Sequence, residues 1–144
     1  MNLYLDSSAL VKRYITESGS QQVNAWIDQA GIVVTALITR VEVAAAIARV
    51  RRMQFITEQE EQAALHAFRS EWESLYRLPI SENTVLRGDY LACEYNLKGY
   101  DATHLACALI WQEVLGLPII LLTYDTQLSQ AAQNARMQVL PQQV

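Results

Sequence analysis

Four acidic residues sit where a carboxylate either does chemistry or costs stability: Asp6, Glu42, Asp101 and Asp125. Asp6 ends the apolar run Leu3-Tyr4-Leu5, and Asp125 follows the stronger run Ile119-Ile120-Leu121-Leu122. Glu42 and Asp101 each fall early in an apolar helical stretch. From Ala102 to Trp111 nearly every residue except Thr103 and His104 is apolar, and a helix apolar all round lies inside a protein. Asp101 therefore enters a region where an unpartnered charge is costly. Each acid also has a local reading. Asp6 and Asp125 suit helix N-caps, and Glu42 and Asp101 are early-turn acids favoured by the helix dipole. A dipole contribution of about 0.3–1 kcal/mol hardly offsets burial among apolar neighbours, so the four read better as a set.

Gathered together, these acids need compensation. Two carboxylates about 4 Å apart repel by about 4 kcal/mol at an effective dielectric of about 20, and four acids contain several such pairs. Either some hold protons or a divalent cation is present. Only His66 and His104 are available as imidazoles, and Cys93 and Cys107 are too few and too widely spaced for a zinc knuckle or redox pair. Both cysteines fall in helical patterns, where the thiol behaves as a small buried hydrophobe. An all-carboxylate cage selects Mg²⁺ or Mn²⁺. Such ions bind phosphates, activate water and stabilise in-line displacement at phosphorus, so metal-dependent phosphodiester hydrolysis is the natural chemistry.

The elements that must position these side chains follow from periodicity. Leu3-Tyr4-Leu5 reads as a short strand, with Ser7 and Ser8 as N-caps of a helix through Leu10, Val11 and Tyr14. A second helix carries Val23, Trp26 and Ile27 at spacings of three and four. Ile32-Val33-Val34 is a buried strand, and a helix from Thr39 carries Glu42 with Arg49, Arg51 and Arg52 in its last turn. Thr57 with Glu60 is a capping-box signature, opening a helix with Leu65, Phe68, Trp72 and Leu75 on one face. Ser81 caps a helix through Val85, Leu86, Leu91 and Ala92, and the Asp101 helix comes next. Ile119–Leu122 is a fully buried strand, followed by a helix from Thr126 to about Asn134 and a short strand at Val139-Leu140. Strands separated by helices imply a parallel sheet with helices on both faces, an α/β three-layer α/β/α sandwich of Rossmann-like type. Ligands bind at the carboxyl edge of such a sheet, where all four acids can meet.

The 144 residues fit a single domain, 1–144, with 51% hydrophobic and 18% charged residues, the balance of an ordinary compact globule. No apolar run approaches the roughly 20 residues needed to span a bilayer, so no membrane association is expected. An acid follows the first apolar residues with no basic segment before it, which predicts no signal peptide and a cytoplasmic protein. The net charge of −4 argues against a general nucleic-acid binder.

Leu5-Asp6-Ser7-Ser8-Ala9-Leu10-Val11-Lys12 resembles the opening motif of PIN-domain ribonucleases, in particular the VapC-type toxins of bacterial toxin–antitoxin pairs. Thr39-Arg40-Val41-Glu42-Val43 is similar to their second motif, Gly99-Tyr100-Asp101-Ala102-Thr103-His104-Leu105-Ala106 to the third, and Thr123-Tyr124-Asp125 to the fourth. The resemblance runs through essentially the whole chain with the motifs in order. It implies a Rossmann-like PIN domain and an endoribonuclease in which Asp6, Glu42, Asp101 and Asp125 hold one or two Mg²⁺ or Mn²⁺ ions. It further implies an RNA substrate, a small cognate antitoxin that obstructs the pocket, and a homodimer. Many relatives carry another acid three residues past the fourth motif, where this chain has Leu128, which leaves the number of ions open.

Around the acids, Ser7 and Thr123 are candidate donors to the carboxylates. His104 shares a helix face with Asp101 and reads either as a proton donor or substrate contact, or as a satisfied structural histidine. Arg49 and Arg52, with Arg51, read either as contacts to RNA phosphates or an acidic partner, or as a solvated helix end. Two rival enzymes are disfavoured. A haloacid dehalogenase-type phosphatase needs a second Asp where Ser8 stands, and a dinucleotide site needs a glycine-rich first turn. A PIN-like module that binds RNA or protein without cutting is the remaining alternative.

Overall fold

A computed structural model of the chain describes residues 1–142, two short of the domain bounds expected from sequence. The elements run β1 (Asn2–Leu5), α1 (Ser7–Leu10), α2 (Ser20–Gln29), β2 (Ile32–Ala36), α3 (Thr39–Arg52), α4 (Glu58–Glu71) and β3 (Tyr76–Leu78). Then follow α5 (Glu82–Tyr95), α6 (Gly99–Leu115), β4 (Ile120–Leu122), α7 (Thr126–Asn134) and β5 (Gln138–Leu140). All strand pairs are parallel, in the order β3-β2-β1-β4-β5. The expected three-layer α/β/α arrangement is present, with one strand the sequence reading lacked. β3 carries the exposed Tyr76 and lies at the sheet edge, too short and too solvated to leave an alternating apolar signal.

Period-two alternation builds two cores from the central strands. Leu3 and Leu5 face Leu10, Val23, Val43, Ile47 and Phe68 in the layer of α1–α4. Tyr4 faces the opposite way, toward Leu91, Leu105, Leu109 and Leu128 in the layer of α5–α7. Leu121 and Leu122 divide between the two cores in the same way. Each fully buried leucine contributes about 1.5–3 kcal/mol by the transfer measure, so both layers grip the sheet.

Local signals fix the helix bounds. The Thr57–Glu60 capping box forms as expected, and Ser81 caps α5 with Thr84 as its reciprocal partner. Gly116 ends α6 at φ +64, a left-handed conformation that glycine adopts without steric cost, and the chain turns directly into β4. Cys107 is buried as expected. Cys93 is exposed, because α5 turns Gly88 and Leu91 rather than Cys93 inward.

Candidate functional site

Strand order reverses between β1 and β4, and the crevice outside the carboxyl ends at such a point is where open parallel sheets bind ligands. Asp6 leaves β1 and Thr123–Asp125 leave β4 at this place. Asp6 itself, rather than Ser7 or Ser8, is the N-cap of α1: its Oδ1 accepts the Ala9 N–H at 3.0 Å. The reason is conformational. Asp6 has the extended backbone that a cap requires, whereas the two serines are already the first helical residues.

The Ser8 hydroxyl turns back and donates to Asp6 Oδ1 at 2.7 Å, and the Thr123 hydroxyl donates to Oδ2 at 2.6 Å. Those two oxygens then accept backbone N–H groups, Ser8 Oγ from Tyr124 at 2.9 Å and Thr123 Oγ1 from Asp125 at 3.1 Å. The two strand ends are thus sewn together around one buried carboxylate. Thr123 occupies the donor position expected of it, but Ser7 does not: Ser8 takes that place and Ser7 lines a groove beside it. Burial drives the Asp6 carboxyl upward from its ordinary value, outweighing His104 and the three hydrogen-bond donors.

Asp125 caps α7, its Oδ1 accepting the Leu128 N–H at 2.8 Å. Leu128 is fully buried with its side chain in the α5–α7 core, so this position packs the core and is not a gap in an outer ligand shell.

Glu42 stands in the first turn of α3, on the other side of the crevice. The start of α3 is tied to β1 through buried hydroxyls. Thr35 Oγ1 donates to the Leu5 carbonyl at 2.6 Å and lies 2.7 Å from Thr39 Oγ1. The Glu42 side chain reaches His104 of α6, with Oε1 at 2.6 Å from Nε2, and the Nδ1 of that imidazole is 2.7 Å from the Tyr4 hydroxyl. His104 is 1% exposed. Burial pulls its pKa down, but the carboxylates of Glu42, Asp6 and Asp101 outweigh this and leave it raised.

Asp101 lies in the first turn of α6. Burial, then the charges of Asp125 and Asp6 and to a smaller degree Glu42, push its carboxyl up to about 6 against the opposing pull of His104. The other three acids therefore all bear on Asp101 at this edge. Among the described residues no lysine or arginine forms an ion pair with any of them; His104 on Glu42 is the one cationic candidate in contact.

Oxygen donors without thiolate, at a place where carboxylates crowd one another, suit a hard divalent cation. Among the described residues no three His, Cys, Asp or Glu side chains cluster closely enough to enclose an ion by themselves. The arrangement fits an ion that keeps several waters and is held through one or two carboxylates, the usual habit of Mg²⁺.

The groove beside the acids is lined by Ser7, Glu42, Arg49, Arg52, Phe55 and Tyr100. Arg49 and Arg52 thus reach the same depression as Glu42. Arg40 does not; it stacks 5.6 Å from the centroid of the Trp72 ring. Sequence reading missed Ser8, Tyr4, Thr35 and Thr39. Ser8, two residues past Asp6, was within reach as a local side-chain pair. Tyr4 and Thr35 were not, because their bonds span 100 and 30 positions.

Residues 3–134 match the PIN domain family. The chain is 30% identical over 143 residues to Ribonuclease VapC45 of Mycobacterium tuberculosis, covering 99% of this chain and 96% of the relative. Among solved structures, FitAcB from Neisseria gonorrhoeae superposes with a TM-score of 0.67 at 17% identity, covering 95% of each chain. Mycobacterium tuberculosis VapC20, described as a Sarcin-Ricin loop cleaving toxin, does so with a TM-score of 0.65 at 13% identity, covering 90% of this chain and 95% of that one. At those identities the structures speak for the fold alone. No helix among the described residues is long and apolar enough to cross a membrane.

Proposed function

The chain belongs to the PIN domain family, and from that premise we propose that it is an endoribonuclease acting as the toxin of a toxin–antitoxin pair. The observation that carries this reading is a set of four carboxylates at the β1/β4 crevice with no lysine or arginine paired to them among the described residues. Similarity to a ribonuclease over 99% of the chain supports it.

Asp6, Glu42, Asp101 and Asp125 are the residues that would hold Mg²⁺ or Mn²⁺. When bound, such an ion lowers the pKa of water and offsets charge on the scissile phosphate. The chain's own groups do the rest. Thr123 and Ser8 hold the Asp6 carboxylate in one orientation at the strand ends. Arg49 and Arg52 offer bidentate donors to RNA phosphates along the groove. Tyr100, 61% exposed and adjacent to Asp101, offers a stacking face to an unpaired base. With a net charge of −4 the protein lacks a general grip on nucleic acid, so it recognises RNA by shape at this local patch.

The further parts of the reading are a cognate antitoxin covering the same groove, a homodimer and a cytoplasmic setting. The deciding experiment incubates the purified protein with total RNA and Mn²⁺ or Mg²⁺ and maps the new ends. Defined cleavage sites that vanish in Asp101→Asn, with the fold retained, support the enzyme. An absence of products from every structured RNA tested would instead support a binding module that does not cut. Sedimentation of the purified chain checks the dimer.

A further inference from the structure

We propose that His104 is a positioning residue: clamped by Tyr4, it fixes the Glu42 carboxylate so that one oxygen is spent inside the protein and the other is presented to the crevice. The inference rests on the metal-dependent reading of the site.

The four acids are not held alike. Asp6 and Asp125 are short side chains oriented by the caps they make, each accepting a backbone N–H three residues ahead. Glu42 has a longer side chain with an additional rotatable bond, on α3, and its oriented contact is to His104 on α6 in the other layer. That imidazole is fixed on both sides. Nε2 is 2.6 Å from Glu42 Oε1, and Nδ1 is 2.7 Å from the hydroxyl of Tyr4. Tyr4 is itself fully buried on β1, two residues before Asp6, with its ring edge-on to the imidazole at 5.9 Å between centroids. One histidine on α6 thereby ties α3 to the strand that delivers Asp6.

Donor roles follow from which protons are available. A carboxylate only accepts, and a tyrosine hydroxyl carries one proton. Nε2–H therefore donates to Oε1 whether the imidazole is neutral or protonated, and Nδ1 and the Tyr4 hydroxyl satisfy one another. The same arrangement commits Oε1 inward and leaves Oε2 as the free acceptor. A leucine would fill the core volume nearly as well, but only a donor can hold Oε1, and this separates a positioning role from packing alone.

The test uses the full chain without RNA and reads Mn²⁺ binding by calorimetry or by the electron paramagnetic resonance of free Mn²⁺, with a thermal melt to check the fold. His104→Leu should weaken Mn²⁺ binding by about tenfold or more, the usual effect of removing a partner that orients a ligand, while His104→Gln, which keeps an N–H donor, stays within about threefold. In a Glu42→Gln background His104→Leu should cost nothing further, since the two act through one contact. With RNA present, His104→Leu should lower kcat and leave KM unchanged. Undiminished Mn²⁺ binding by folded His104→Leu, or an equal loss in the Glu42→Gln background, overturns the proposal. Should His104→Leu not fold, Tyr4→Phe decides: a several-fold loss of Mn²⁺ binding in a folded protein upholds the clamp, and no loss overturns it. Failure of the wild type to bind Mn²⁺ removes the metal-dependent reading together with this one, whereas wild-type binding with an indifferent His104→Leu removes the positioning role only.

Discussion

Glu71 and Asp101 are both half-buried acids, and the protein treats them in opposite ways. Glu71, at the end of α4, receives Arg13 Nε at 2.7 Å on one oxygen, Arg13 Nη2 at 3.3 Å on the other, and the Tyr14 hydroxyl at 3.0 Å. Burial pushes Glu71 upward, but these partners hold its pKa below the ordinary carboxylate range. Asp101 has no such cation and faces three further acids, and its carboxyl rises to about 6. The fold can therefore neutralise a carboxylate when structure is the only purpose. At the β1/β4 crevice Asp101 receives no lysine or arginine partner among the described residues, a difference on which the proposed metal site rests.

The sharpest way to break this contrast is functional. Asp101→Asn should lower RNA cleavage more than about 100-fold, beyond the 10–100-fold usual for an outer partner of a ligand, whereas Glu71→Gln should leave it unchanged; rates on a mapped RNA decide. Next in size is cation linkage. Mn²⁺ at a hundredfold excess over its Kd should add about 2.7 kcal/mol to the unfolding free energy of the wild type and of Glu71→Gln, but little to Asp6→Asn. Equal gains in all three, measured by urea titration, would mean that the crevice acids are not where the ion binds. Arg13→Ala comes third, at about 1 kcal/mol in the same titration, because it breaks a partly exposed but bidentate pair and leaves Glu71 uncompensated.

The smallest effects lie in pH dependence, where the two acids carry opposite signs. The folded pKa of Asp101 lies above its unfolded value, so its contribution is full below about pH 4 and is lost as pH rises through about 6. Without divalent ions, Asp101→Asn should flatten that decline. Glu71 has a lowered pKa, so its contribution is present above the unfolded value and lost as pH falls through the folded one, and Glu71→Gln should flatten the acid limb. Melting temperatures across pH 2–8 separate the two (both effects are muted by solvent screening).

What was legible in the sequence was whatever one segment announces alone. The Ile119–Leu122 run, the apolar α6 and the Thr57–Glu60 box each carry their signal within a few neighbours, and all three stand in the structure. The four acids were legible because each sits at the junction of two patterns, a strand end or a helix start. What stayed hidden depends on rotation about a short helix or on contacts between distant segments. Ser8 rather than Ser7 faces Asp6 because Asp6 takes the cap, a choice among three adjacent capping residues. His104 was seen as a neighbour of Asp101, but its partners lie 62 and 100 positions away on α3 and β1.

The seam between β1 and β4 also has a bearing on how the molecule comes into being. Asp6 is fastened by Thr123, 117 positions later in the chain, and the centre of the sheet stays unpaired on that side until β4 arrives. Until that strand docks, the earlier acids have no β4 segment to meet across the seam. The acid-lined edge is thus a property of the finished sheet, and no fragment that lacks β4 holds the whole of it.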